Sequence, residues 1–206
     1  MPKKNNLKEK HINENEIANS IIKKTQKIKE AWEQENHFDN YICITKNYKK
    51  NNINEEFKQI YTKFWLLGDH GRFNANLKEK YFELLSQKED DLEKILKKLK
   101  KIPPHFTWLA YSTKLVHTIN NNKPIYDSNI KNILELPPTN PNIENALEIY
   151  NELNKKYKIL LQNKKIKEII SDFKKYLKNK YKKDSKLISD VKLLDSILWV
   201  IVKIKS

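Results

Sequence analysis

Residues 99–134 read LKKIPPHFTWLAYSTKLVHTINNNKPIYDSNIKNIL, and this stretch decides how the chain is understood. It opens with the end of an apolar-periodic segment and is stopped at Pro103 and Pro104, because a proline disfavours helical backbone in the residue before it. An amphipathic run resumes at 108–119, a short polar loop ending in Pro124 follows, and Asp127 then stands at the mouth of SNIKNIL. An aspartate in that place is a helix N-cap, its carboxylate accepting amides of the first turn. The segment therefore predicts helix, tight turn, helix, loop and aspartate-led helix.

The surrounding sequence extends the same pattern. Ile17, Ile21, Ile28 and Trp32 recur at helical intervals over residues 16–34. Residues 37–52, rich in lysine and asparagine, read as an irregular connection. Asn54, followed by Glu55 and Glu56, starts a helix carrying Phe57, Ile60, Tyr61, Phe64 and Trp65. Gly68 and Gly71, the chain's 2 glycines, end that helix in a turn holding Asp69, His70 and Arg72. Further helices are expected over 77–85, over 90–101, from Thr139 or Asn142 through Tyr157, over 166–181, and from Ser189 or Asp190 along VKLLDSILWVIVKI. So few glycines argue against sandwiches, barrels and phosphate-cradling glycine loops. The expected class is all-α: a flexible basic tail over 1–13, then one helical domain over 14–206 with lobes at 14–136 and 142–206 and the helix–turn–helix unit at about 90–119.

Forty-one cations against 26 acids give a net charge of +15 over 206 residues. Such an excess collects polyanions, and counterion release drives their binding. Abundant Lys, Asn and Ile is also what an AT-rich genome produces. Arg72 is the only arginine, which limits bidentate base readout but suits one planar clamp on a phosphate. Cys43 stands alone, so neither a disulfide frame nor a thiolate metal cluster is expected. The opening MPKKNNLKEK lacks the apolar core of a signal peptide, and no run approaches a membrane span, so a cytoplasmic protein away from membranes is expected.

Leu99, Ile102, Pro103, Trp108 and Ala110, followed by Pro124, Asp127, Ile130 and Leu134, resemble the helix–hairpin–helix superfamily of DNA glycosylases. That pattern is L-x-x-[LI]-P-G-[VI]-G-x-[KW]-x-A, with a helix-opening aspartate a similar distance on; here Asp127 follows Trp108 by 19 positions. Bifunctional members carry a lysine where this chain has Trp108, so the resemblance is to the branch of 3-methyladenine glycosylase II. Both hairpin glycines are absent, with Pro104 and Phe106 in their places, and Pro104 has no N–H to offer a phosphate. The resemblance implies a cofactor-free, metal-free enzyme of DNA repair that flips a modified or damaged base from duplex DNA and hydrolyses its N-glycosidic bond.

In that reading Asp127 is the catalytic carboxylate, and Trp108, Tyr111 and Tyr126 form the base pocket. Lys114 and His117, at i and i+3, support them at the rim. Arg72, Lys100, Lys101 and Lys123 hold phosphates. Two other readings compete: a basic helical protein that grips nucleic acid without chemistry, and a protein-interaction or phage-defence component whose basicity is compositional. In either, Asp127 is only a cap, Trp108 belongs to a core stripe with Leu115 and Ile119, and the Lys114–His117 pair is a solvated edge.

Overall fold

The computed structural model describes residues 13–68 and 72–204. Over these the chain is all-helical, with no strand. The elements are α1 (Glu14–Gln34), α2 (His37–Lys49), α3 (Glu55–Phe64), α4 (Ala75–Ser86), α5 (Leu92–Lys100), α6 (Leu109–Ile119), α7 (Ser128–Ile133), α8 (Ile143–Gln162), α9 (Lys164–Tyr181), a 3₁₀ turn (Lys182–Leu187) and α10 (Asp190–Lys203).

Side-chain caps start most of these helices. Asn54 accepts the Phe57 N–H at 2.9 Å, Asn74 that of Leu77 at 2.9 Å, and Asp91 that of Lys94 at 3.1 Å. Asn142 opens α8 and Ser189 opens α10 in the same way, which settles both alternatives left by the sequence. The polar segment expected over 1–13 lies outside the described residues except for Asn13, which caps α1. Asp69 and His70 lie outside them too.

One element departs from expectation. Residues 37–49 form a helix rather than an irregular connection. Phe38, Tyr41, Ile42, Thr45 and Tyr48 give it a buried face at three- and four-residue intervals, and tertiary burial of that face outweighs the modest propensity of its Asn- and Lys-bearing side.

The hydrophobic core is continuous along the chain. Helix α1 packs on α9 and α10, α10 packs on α7, and α5 lies between α4, α6 and α8. The start of the chain thus joins its last helices, while α4, α5 and α6 pack on one another. The buried faces come from Leu92, Ile95, Leu96 and Leu99 of α5, and from Leu193, Leu194, Ile197 and Leu198 of α10. No helix among the described residues is long and apolar enough to cross a membrane.

Candidate functional site

The α5–turn–α6 unit is present and unusual. His105 donates its backbone N–H to the Ile102 carbonyl at 2.9 Å, and its ring Nδ1 lies 3.0 Å from the Lys100 carbonyl, closing the end of α5. His105 and Trp108 both adopt left-handed backbone, with φ of 62° and 55°. These side chains hold a conformation that glycine adopts most readily, and such strain concentrates where the surroundings over-determine the backbone. Trp108 gives α6 no side-chain cap.

Asp127 caps α7, its Oδ1 accepting the Ile130 N–H at 2.8 Å. It also lines a trough of about 840 Å³. The carboxyl opens on this trough yet sits deep in the fold. Burial raises its pKa, and the Asp195 charge raises it further; the Ile130 and Asn129 amides and the Lys114 ammonium pull the other way. A cap and a cavity-facing acid are therefore one residue.

The floor of the trough comes from α10 and the end of α3. Lys192 and Asp195, both buried, form an ion pair at 3.0 Å. The Lys192 ammonium lies 4.8 Å from the Trp65 ring centroid and 5.5 Å from that of Phe64, cation–π distances that help keep a desolvated charge in place. Tyr157 donates its hydroxyl to the other Asp195 oxygen at 3.4 Å. Beside them His37 Nε2 meets the Ser196 hydroxyl at 2.9 Å. Burial, together with the Lys192 and Lys203 charges, drives the His37 pKa well down and keeps the ring neutral. Lys63, Leu66, Arg72, Ser128 and Lys203 stand around the exposed rim.

The predicted site residues fall in several places. Asp127, Tyr111, Lys114 and Arg72 all line the trough. Tyr111 donates its hydroxyl to the Leu67 carbonyl at 2.8 Å, and Lys114 reaches the Trp65 carbonyl at 2.6 Å. Trp108 and Tyr126 do not line it. They border a smaller neighbouring groove of about 370 Å³, together with Phe106, Thr107, Thr139, Asn140 and Pro141. Trp108 stacks on Tyr111 at 5.2 Å, so the pair forms a partition with Trp108 on the groove side. The α6 register explains this: Tyr111 borders both hollows, whereas Trp108, one residue before the helix, borders the groove alone.

His117 is not at a rim. It is fully buried behind the trough, its Nδ1–H donating to the Lys123 carbonyl at 2.7 Å, with the Tyr41 hydroxyl 3.3 Å from Nε2. Desolvation and the Lys192 charge push its pKa down to about 3. Neither is Lys114 on a solvated edge, being 9 % exposed. Lys100 donates to the Pro141 carbonyl at 2.6 Å, tying the α5 end to the start of α8. Lys101 and Lys123 are exposed, and none of these three lysines lines the trough.

Lys192, Asp195, Ser196, His37 and Trp65 were missed by sequence reasoning. A signal existed for the first two: charged residues at i and i+3 inside the most apolar helix of the chain. Such residues are rarely buried unless paired or functional. Among the described residues, no group of three or more His, Cys, Asp or Glu side chains is placed to hold a metal ion. No protein-family model, no curated protein and no solved structure matches this chain.

Proposed function

We propose that the chain excises bases from DNA, with Asp127 as the working carboxylate. One observation carries the reading: the acid that follows the α5–turn–α6 unit opens on an aromatic-walled trough large enough for a flipped nucleotide, while also capping α7. Trp65, Phe64 and Tyr111 take the place of the Trp108 and Tyr126 walls expected from sequence.

The chemistry follows from charge. As the C1′–N bond breaks, its electron pair leaves with the base and positive charge grows on the sugar. A carboxylate beside it, in poorly solvated surroundings, opposes that charge far better than water does. Water then forms the new bond from its oxygen to C1′, and its proton passes by way of Asp127 to the departing base. Burial, which raises the Asp127 pKa, also lets the acid hold that proton in transit.

The smaller groove suits the flanking phosphate. Leu109, Ala110 and Tyr111, the first turn of α6, line it with no side-chain cap, and the Arg72 guanidinium lies 5.7 Å from the Phe106 ring centroid at its edge. These donors stand where Pro104 cannot contribute one.

Incubation with duplexes carrying methylated, deaminated or enlarged bases, followed by alkaline cleavage at abasic sites, tests the proposal. Product is expected with the parent chain and not with Asp127→Asn. Salt-sensitive binding without any abasic product from any duplex favours the non-catalytic reading instead.

A further inference from the structure

The trough is larger than a single base requires, and its floor is polar. Lys192, Asp195, Ser196, Trp199 and Lys203 line it from one face of α10. At 1.5 Å rise per residue, that row runs for about 16 Å. Asp127 lies toward the Lys192–Asp195 end, where the Asp195 charge acts on it. Beyond Asp195 the row continues for about 12 Å to Lys203. This second arm is completed by His37 and Asn40 of α2. Pockets of roughly 300–1,000 Å³ take drug-sized ligands, and this trough sits near the top of that range at about 840 Å³.

The arm's chemistry is specific. His37 is held neutral and spends Nε2 on the Ser196 hydroxyl at 2.9 Å, which leaves Nδ1 for a further bond, while the Asn40 amide offers both a donor and an acceptor. Groups of that kind match hydroxyls, which are themselves donor and acceptor. A methyl group would leave His37 Nδ1 and the Asn40 amide facing apolar surface, an arrangement that is penalised. Lys192 pairs with Asp195 and Lys203 with Glu35, each at 3.0 Å, so the arm is polar with its charges matched, as suits a neutral substituent.

Resting on the base-excision reading, we infer that the arm formed by His37, Asn40, Ser196 and Trp199 receives a bulky, hydroxyl-bearing substituent on the flipped base. The substrate class is then DNA whose bases carry a sugar-like group rather than a small alkyl lesion.

The test uses the full chain bearing Asp127→Asn, which binds without cutting. Fluorescence anisotropy compares three duplexes of one sequence, carrying cytosine, 5-hydroxymethylcytosine or glucosylated 5-hydroxymethylcytosine at one position. The hexose is expected to tighten binding about tenfold over the other two, a gain of the size that matched polar groups supply. Adding Asn40→Phe, which fills the arm, is expected to erase that gain while leaving affinity for plain duplex within about twofold. His37→Gln serves as a second variant should Asn40→Phe lower the melting temperature. Equal affinity for all three duplexes, or a gain that survives both arm variants, overturns the inference. Abasic-site assays on the parent chain separate the two claims: excision of small modified bases but not the glucosylated one leaves base excision standing and removes this inference. A hexose-dependent binding gain without excision on any duplex does the reverse.

Discussion

Replacing Asp127 by Asn separates its two roles. Asn is as good an N-cap as Asp, so its Oδ1 can keep the 2.8 Å contact with the Ile130 N–H. The charge is lost. In the folded chain burial and Asp195 raise the Asp127 pKa, so the protonated form is favoured there relative to the unfolded chain. Ionisation above the folded pKa therefore costs stability, and at neutral pH the Asn variant should melt at or slightly above the parent temperature. That advantage should vanish in acid, below the unfolded carboxylate pKa, where the parent is protonated in both states. Asp127→Ala instead forfeits the cap, about 1 kcal/mol, or roughly 2–4 °C for a chain of this size. For catalysis, a carboxylate about 4 Å from the sugar cation at an effective dielectric near 20 contributes about 4 kcal/mol, a rate factor of roughly a thousand. Single-turnover abasic-site formation measures the rate and calorimetry measures the melting. An Asn variant that cuts within about threefold of the parent would sink the catalytic role. One that melts as low as Ala would show that the charge itself supports the fold.

Further outcomes follow from the buried charges. Asp195→Ala leaves the Lys192 ammonium buried without its 3.0 Å partner and should cost about 3–5 kcal/mol, visible as a large fall in melting temperature, whereas Lys192→Met with Asp195→Leu should recover most of it. His117, with its pKa lowered to about 3, binds no proton in the folded chain between that value and 6.5, while the unfolded chain does. Stability should therefore fall as pH drops through that window, by up to about 1.4 kcal/mol per pH unit from this residue. His117→Asn should flatten the slope in thermal melts between pH 7 and pH 4; an unchanged slope contradicts the buried-neutral assignment. Arg72→Ala should weaken binding to all duplexes alike and lower the slope of log K against log salt by about 1, as one lost phosphate contact does.

Periodicity made most of the helices readable because each buries an apolar stripe whose spacing survives in the sequence. It failed at residues 37–49, where the buried stripe mixes His37, Tyr41, Thr45 and Tyr48 with Phe38 and Ile42, and Asn and Lys fill the other face. Caps were readable for a related reason: Asn54, Asp127, Asn142 and Ser189 act within three residues of themselves, so no tertiary information is needed. The aromatic walls were not readable. Trp108 lies close to Asp127 in sequence, but it precedes the first turn of α6 with φ of 55° and borders the neighbouring groove rather than the trough. Trp65, from a distant helix end, takes that place.

The Lys192–Asp195 pair shows why the site, unlike the fold, needs three dimensions. In the sequence VKLLDSILWVIV the two charges sit at i and i+3, a spacing that an exposed helix face also produces. Tertiary packing takes both out of water: Tyr41, Phe64 and Trp65 cover Lys192, and Tyr157 of α8 meets Asp195. A fold optimised for stability alone would gain by replacing them with apolar residues of like volume. Under the base-excision proposal, their place on the floor of the trough that Asp127 borders, beside a neutral His37 and a buried Ser196, gives them a use that stability does not. In that proposal the lysine-coated exterior supplies attraction to a polyanion without regard to sequence, and discrimination between bases falls to the polar row of the trough.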